Sequence, residues 1–592
     1  MLTNANYTSS IPRRTVAIDM LIIASLWCAS LFIVNPFGNF PLNDDWSFGL
    51  TVKRLIEHGD FRPTGWTSMP LITNVLWGSV FCIRSGFSFT ALRLSTLTLS
   101  LLGILGGYLL VRDLRQPRWL AITIAFTLGF NPIYYALSNT FMTDVPYTAI
   151  TILAAIFFAR NLRTDSYLDL LIGSTLAIAA TLSRQLAISV PLAFAVSSIL
   201  TRGFRNRNLL RAAIPLALCL GALLVFQQWL TVGGRLPALY DAKTKGLLDT
   251  LTDPEVLSLV VNNTYVGLLY LGLFLLPVLI FSLADIMRSN RTQAIVILTL
   301  AMGTMVVSTL CGEDYRMPMS GNVLIKSGIG PLTLRDTYVL GLDHVPALPA
   351  SFWFVITAMS VLGAAFLIAT LAVRVINLVG RPRLGAKTSD NEAVGIFFLL
   401  SAMIYLLPLL ASDFFDRYLV PPIPFFAIGI AGMSDHFPRF SLATTRIPRL
   451  AAIALLAGFS LFAIGGTRDY VGWNRVRWEA LHDLTEHKHV SAADIDGGFE
   501  FNGLYLYDPH YQRDPRKSWW WVQRDTYQIG FQNVPGYTVI KEYTYFHLMP
   551  PHTGKIIVLK KNPLRTPNIR GDEHAEQTAP LSLVLYDHDK RR

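Results

Sequence analysis

Long apolar runs separated by short polar pieces make up most of the chain, and that alternation sets the first expectation. A helix crosses the hydrocarbon core of a bilayer with about 20 apolar residues, in a range of roughly 17–25. On this criterion about thirteen spans are expected, at 16–35, 89–111, 119–137, 145–160, 167–183, 186–201, 209–230, 264–287, 292–311, 350–377, 393–411, 417–434 and 449–466. Residues 69–83 are apolar too, but a span there would invert everything after it and carry the arginines around Gln116 to the other side. An interfacial helix is expected instead. Beyond Thr467 no run is long enough to cross. Trp478–His487 reads as a helix, and Tyr537–Leu548 and Lys555–Lys560 read as strands around a Pro550-Pro551 turn. The expected fold is an all-α polytopic membrane domain over 1–466 followed by a small α/β domain over 467–592.

Composition supports this picture. Of 592 residues 52% are hydrophobic and 15% are charged, whereas a soluble domain carries about 25% charged residues. Much of the surface must therefore face lipid. The net charge is +11, but the basic residues lie in short clusters between apolar runs. That is the pattern of cytoplasmic loops and not of a nucleic-acid face. Arg13/Arg14, Arg112/Arg115/Arg118, Arg160/Arg163, Arg202 to Arg211, Arg288/Arg291, Arg374 to Lys387 and Arg439 to Arg449 mark alternate connections. Placing them all on the cytoplasmic side of an inner (plasma) membrane gives a cytoplasmic N-terminus and an extracytoplasmic C-terminal domain. No small-residue cleavage site follows the first run, so it is expected to be retained as a span. Cys28, Cys82, Cys219 and Cys311 have neither metal-ligand nor disulfide spacing, and read as small buried hydrophobes.

The outer side then receives loop 36–88, with Asp44 and Asp45 in "NFPLNDDWSF". It also receives Asp144 in "SNTFMTDVPYTA", Arg184 in "TLSRQLA", and loop 312–348 with Glu313, Asp314, Arg316, Lys326, Arg335 and Asp336. "DFFDRYLVPP" adds Asp413, Asp416 and Arg417. Each has a plainer explanation: a carboxylate can stop a helix, Arg184 can bridge two helices, and Arg93 in "FTALRLSTL" leans structural. Burying Arg184 near the bilayer without a partner costs roughly 2.5–3.5 kcal/mol, so it should pair with a carboxylate or bind an anion. Gathered at one membrane face, the acids and arginines point to a reaction between a phosphate-bearing lipid donor and an acceptor hydroxyl or amine. A carboxylate would take the acceptor's proton, and a guanidinium would stabilise charge growing on the leaving phosphate.

These motifs, in this order, resemble the GT-C superfamily of integral-membrane glycosyltransferases, and within it the protein O-mannosyltransferases and bacterial aminoarabinose (lipid A) transferases. The matching pieces are the first-loop acidic pair with Trp46, "ALRLSTL", "NPIYYALSNTFMTDVPYTAI", "FFDRYLVPPIPF" and "IDGGFEFNG". The resemblance implies an inverting transfer of sugar from a polyprenyl-phosphate donor to a lipid, polysaccharide or protein acceptor at the outer face. It implies Asp44 as base, with Asp45 able to share or exchange the role because this chain has Asp-Asp where the family commonly has Asp-Glu. Asp144 would orient a substrate, a basic residue or a metal. Arg184, Arg316, Lys326 and Arg417 are the candidates for the donor phosphate. A divalent cation could sit among Asp44, Asp45 and Asp144, whereas the lack of a His/Cys ligand set argues against zinc. A transporter or flippase, or an O-antigen polymerase or ligase acting on lipid-linked saccharides, are the alternatives. No internal repeat favours the transporter.

Overall fold

The computed structural model describes residues 12–563 apart from 85, 290, 312–315, 343–345, 381–388, 435–441 and 513–519. Glu313 and Asp314 lie outside the described residues. The chain divides into two compact units. One comprises 1–331, 347–475 and 546–553, and the other comprises 332–346, 476–545 and 554–592.

The first unit begins with α1 (Arg13–Val34), α2 (Asp45–His58), α3 (Ile72–Cys82), α4 (Phe89–Asp113), α5 (Arg118–Gly129), α6 (Pro132–Ser138), α7 (Asp144–Thr164) and α8 (Tyr167–Thr181). It continues with α9 (Ser189–Arg202), α10 (Asn206–Val232), α11 (Ala238–Leu251), α12 (Val256–Ser289) and α13 (Arg291–Cys311). After a two-strand ribbon, β1 (Leu324–Ile325) against β2 (Gly328–Ile329), and α14 (Arg335–Tyr338) of the second unit, come α15 (Ala350–Val379), α16 (Asp390–Leu410), α17 (Pro422–Gly432) and α18 (Leu442–His482). Among the described residues ten helices are long and apolar enough to cross a membrane, or eleven if the bent pair α5–α6 counts as one span.

Thirteen were expected, and the difference has a local cause. The run at 167–183 forms only the 15-residue α8, which stops before Ser183-Arg184. The run at 417–434 begins with a 3₁₀ turn and yields the 11-residue α17, entered through Pro421 and Pro422. Residues 69–83 give the 11-residue α3; at 1.5 Å per residue it is roughly 16 Å long, too short to cross. The expected domain boundary at 466/467 falls inside α18.

Small residues set the helix spacing. A side chain at Gly272 of α12 would collide with the backbone of Ala364, and one at Gly363 of α15 would collide with the backbone of Gly272. The two helices meet backbone to backbone, the usual device where apolar side chains gain nothing by leaving lipid. The break between α5 and α6 is written in Asn131-Pro132. Asn131 accepts from the N–H groups of Ile133 at 3.0 Å and Tyr134 at 3.1 Å, and Pro132 occupies the first helical turn. The 61° bend between the two helices leads into the turn before α7 that carries Asp144.

The second unit holds α14, the C-terminal end of α18, α19 (Phe499–Leu506) and a sheet of β3 (Ile495–Asp496), β4 (Tyr527–Gly530), β5 (Tyr537–Leu548) and β6 (Pro551–Lys561) in the order β3-β4-β6-β5. The β5–β6 tip belongs to the first unit. β4 runs parallel to β3 and antiparallel to β6, with Ile529 opposite Val558. Charges are buried here in matched form. Arg477 and Glu500, neither exposed at all, meet at 2.8 Å, and Asp336 accepts from the N–H groups of Phe531 at 2.6 Å and Gln532 at 3.1 Å. Asp336 of loop 312–348 is therefore committed to organising its own unit.

Candidate active site

Asp44 stands at the N-cap of α2 yet makes no side-chain cap. An aspartate there ordinarily accepts from the second or third helical N–H. Instead its Oδ1 accepts from Trp66 Nε1 at 2.9 Å and its Oδ2 from Arg417 at 3.4 Å. Both ends of that ion pair are partly reached by solvent, Arg417 13% and Asp44 16% exposed.

Asp45 behaves differently. It is buried, its Oδ1 accepts from Phe141 N at 2.8 Å and its Oδ2 from Leu42 N at 3.3 Å. It thus ties the first loop to the turn between α6 and α7. Burial pushes its pKa up to about 7, against the N–H of Phe141 and the nearby Arg93. A single residue step at the start of α2 separates the roles of two adjacent, identical side chains.

The first loop is held from beneath. Arg93 of α4, buried, donates to the carbonyls of Pro36 at 2.5 Å, Gly38 at 3.3 Å and Phe40 at 3.0 Å. It is structural, as its sequence context indicated. Arg475 adds bonds to Asn35 O at 2.7 Å and Phe37 O at 3.1 Å.

Asp144, at the first residue of α7, forms a buried ion pair with Arg184 through its Oδ1. Of the two partners expected for Arg184, a carboxylate is the one found. The Tyr418 ring lies between the two arginines, 5.5 Å from the Arg184 guanidinium and 5.7 Å from that of Arg417. Tyr418 is seated in an apolar cluster with Leu99, Tyr147, Tyr405 and Leu409. Burial opposes the charge of Arg417, but Tyr418, Asp144 and Asp44 outweigh it and raise its pKa. Arg417 thus feels both acids. Three buried polar atoms of this cluster, Asp144 Oδ2, Tyr405 Oη and Arg417 Nε, have no hydrogen-bond partner among the described residues. Such atoms are costly in a finished interior and are expected where a ligand supplies the partners.

Other expected residues lie apart. Arg316 and Lys326 are exposed, Lys326 in the turn of the β1–β2 ribbon, and neither pairs with an acid among the described residues. Asp413 is exposed as well. Asp416 is buried and accepts from Val323 N at 3.0 Å and Leu324 N at 2.7 Å, which anchors that ribbon; burial lifts its pKa to about 6. Arg335 pairs with Asp525 at 3.2 Å within the second unit. Among the described residues no group of three or more His, Cys, Asp or Glu is gathered for a metal ion. Each of the three acids Asp44, Asp45 and Asp144 instead faces N–H donors. Trp66 and Tyr405 were not singled out from sequence, since an isolated loop tryptophan or helix tyrosine carries no local signal.

Comparison with known proteins adds the following. Residues 68–231 match the family model of the dolichyl-phosphate-mannose-protein mannosyltransferases; the segment contains Asp144 and Arg184 but not Asp44, Asp45 or Arg417. No curated protein matches the chain in sequence. Among solved structures, ArnT from Cupriavidus metallidurans bound to undecaprenyl phosphate is 14% identical, with 81% of this chain and 73% of that chain covered and a TM-score of 0.40. The apo form of that protein is 15% identical, with 82% of each chain covered and a TM-score of 0.33. The apo Archaeoglobus fulgidus oligosaccharyltransferase is 14% identical, with 82% of this chain but 59% of that chain covered and a TM-score of 0.42. Over residues 68–231 the chain is thus similar to the dolichyl-phosphate-mannose-protein mannosyltransferases, within a polytopic helical fold.

Proposed function

We propose that the chain is an inverting glycosyltransferase that moves a sugar from a polyprenyl-phosphate donor to an acceptor at the outer membrane face. Asp44 takes the proton of the attacking acceptor group. The acceptor oxygen or nitrogen bonds to the anomeric carbon as the bond from that carbon to the phosphate oxygen breaks, and polyprenyl phosphate leaves. Arg417 holds the phosphate and carries the charge that grows on it. Asp144 and Arg184 fix the opposite wall, and Asp45 holds the loop that presents Asp44. The observation that carries this reading is the Asp44–Arg417 pair, a carboxylate diverted from helix capping towards a guanidinium with an unpartnered Nε. A dolichyl-phosphate sugar, for which the matching family model is named, belongs to the same donor class. A well-placed general base contributes typically about 10²–10⁴-fold, and a preorganised donor to the developing anion about 10²–10³-fold.

The test is to reconstitute the chain in vesicles with a polyprenyl-phosphate sugar labelled in both sugar and phosphate. A transferase separates the two labels and leaves polyprenyl phosphate in the membrane. A transporter or flippase moves the donor intact, and finding both labels together after full incubation with acceptor-bearing membranes would refute the proposal.

A further inference from the structure

Away from the Asp44–Arg417 cluster, the first unit contains an apolar cavity of about 650 Å³ between α1, α5, α12 and α18. Three of these helices run along it together, from Leu26 to Ile33, from Trp119 to Phe130 and from Arg449 to Ile464. Along α18 the lining extends over roughly 22 Å at 1.5 Å per residue. One leaflet is about half of a hydrocarbon core of about 30 Å, so the cavity is long enough for a whole acyl chain. Its wall suits hydrocarbon. The three hydroxyls that line it are already bonded: Ser30 to Trp27 O and Tyr135, Thr123 to Trp119 O, and Ser460 to Leu456 O.

Charge sits at one end only. The Arg449 guanidinium lies 5.1 Å over the Trp119 ring, and its Nε is buried without a hydrogen-bond partner among the described residues. Among the described residues it pairs with no acid, and none of the lining residues is acidic. A long hydrocarbon slot closed at one end by an unpaired cation complements a lipid with one acyl tail and a net negative head. None of Asp44, Asp144, Arg184 or Arg417 lines it. We propose that this cavity binds an anionic glycerophospholipid of the surrounding membrane, one acyl chain lying along α18 and the phosphate on Arg449.

Native mass spectrometry of the full chain, released from detergent with defined lipids added, tests this. Equal amounts of phosphatidylglycerol and phosphatidylcholine should give about a fivefold excess of the bound anionic lipid, as expected from roughly 1 kcal/mol for one basic residue near an anionic lipid surface. Arg449→Gln should abolish that excess, and Arg449→Lys should keep it. Ala457→Phe, which places a ring in the slot, should lower retention of both lipids while the protein still elutes as wild type. Asp44→Asn should retain lipid as wild type does, which separates this site from the proposed reaction. An unchanged lipid ratio in Arg449→Gln, or undiminished retention in a well-folded Ala457→Phe, overturns the proposal. So does displacement of the bound lipid by an equal amount of polyprenyl phosphate, because the slot would then belong to the carrier.

Discussion

Arg417 donates to the Asp44 carboxylate across 3.4 Å although 373 positions separate them in the chain. The pair joins the end of the first loop to the 3₁₀ turn before α17. It also places one guanidinium where two acids, Asp44 and Asp144, act on it together. A carboxylate held this way stays within reach of solvent and of a bound acceptor, as a proton acceptor must.

Replacing Arg417 with Gln should lower sugar transfer by about 10²–10³-fold, the usual effect of removing one donor to a developing oxyanion. Lys should restore part of that, since it keeps the charge but loses the planar fork. Initial rates with labelled donor check this. Equal rates for the Gln variant and wild type would remove Arg417 from the phosphate site.

Asp144 and Arg184 form a buried pair, and breaking it strands a charge. Asp144→Ala should destabilise the protein by about 3–5 kcal/mol. The double variant Asp144→Ala/Arg184→Met should recover most of that stability while transfer stays low. Thermal unfolding in detergent, read beside the transfer rate, separates the two effects. A double variant no more stable than the single one would show that the pair is not coupled.

Asp45 gives a pH signature. Its pKa is raised to about 7 by burial, from an unfolded value of about 3.9. The native state therefore binds more protons than the unfolded state between those values, and stability from this group is lost as pH rises through about 7. Asp45→Asn keeps an acceptor for Phe141 N but cannot ionise. The melting temperature of wild type minus that of the variant should fall from about pH 4 to about pH 7 and level off above that. A difference that is flat or rises with pH contradicts the assignment of Asp45 as a buried tie.

Much of this was legible in the sequence, for physical reasons. The β-branched and aromatic residues of Tyr537–Leu548 gave a strand with the observed limits. Apolar length gave ten of the spans. It overcounted at 167–183 and 417–434, where Ser183-Arg184 and the prolines at 421, 422 and 424 cut the helices short. Asp44, Asp144, Arg184 and Arg417 stood out as ionisable residues at span ends. What could not be read was which of them meet. The division of labour between Asp44 and Asp45 depends on where the first turn of α2 points each side chain, and Asp45's partner Phe141 N is 96 positions away. Likewise Asp336 and Asp416 look like Asp44 in sequence, and only their backbone N–H partners mark them as structural.

The most direct measurement is single-turnover transfer from labelled polyprenyl-phosphate sugar by wild type and Asp44→Asn, in the same membranes and with equal folded protein. The isosteric change keeps one of the two acceptor oxygens, for Trp66 or for Arg417, but removes the proton acceptor. A rate about 10²–10⁴-fold lower with donor binding retained is the expected result. Transfer by Asp44→Asn at the wild-type rate would contradict the account at its centre.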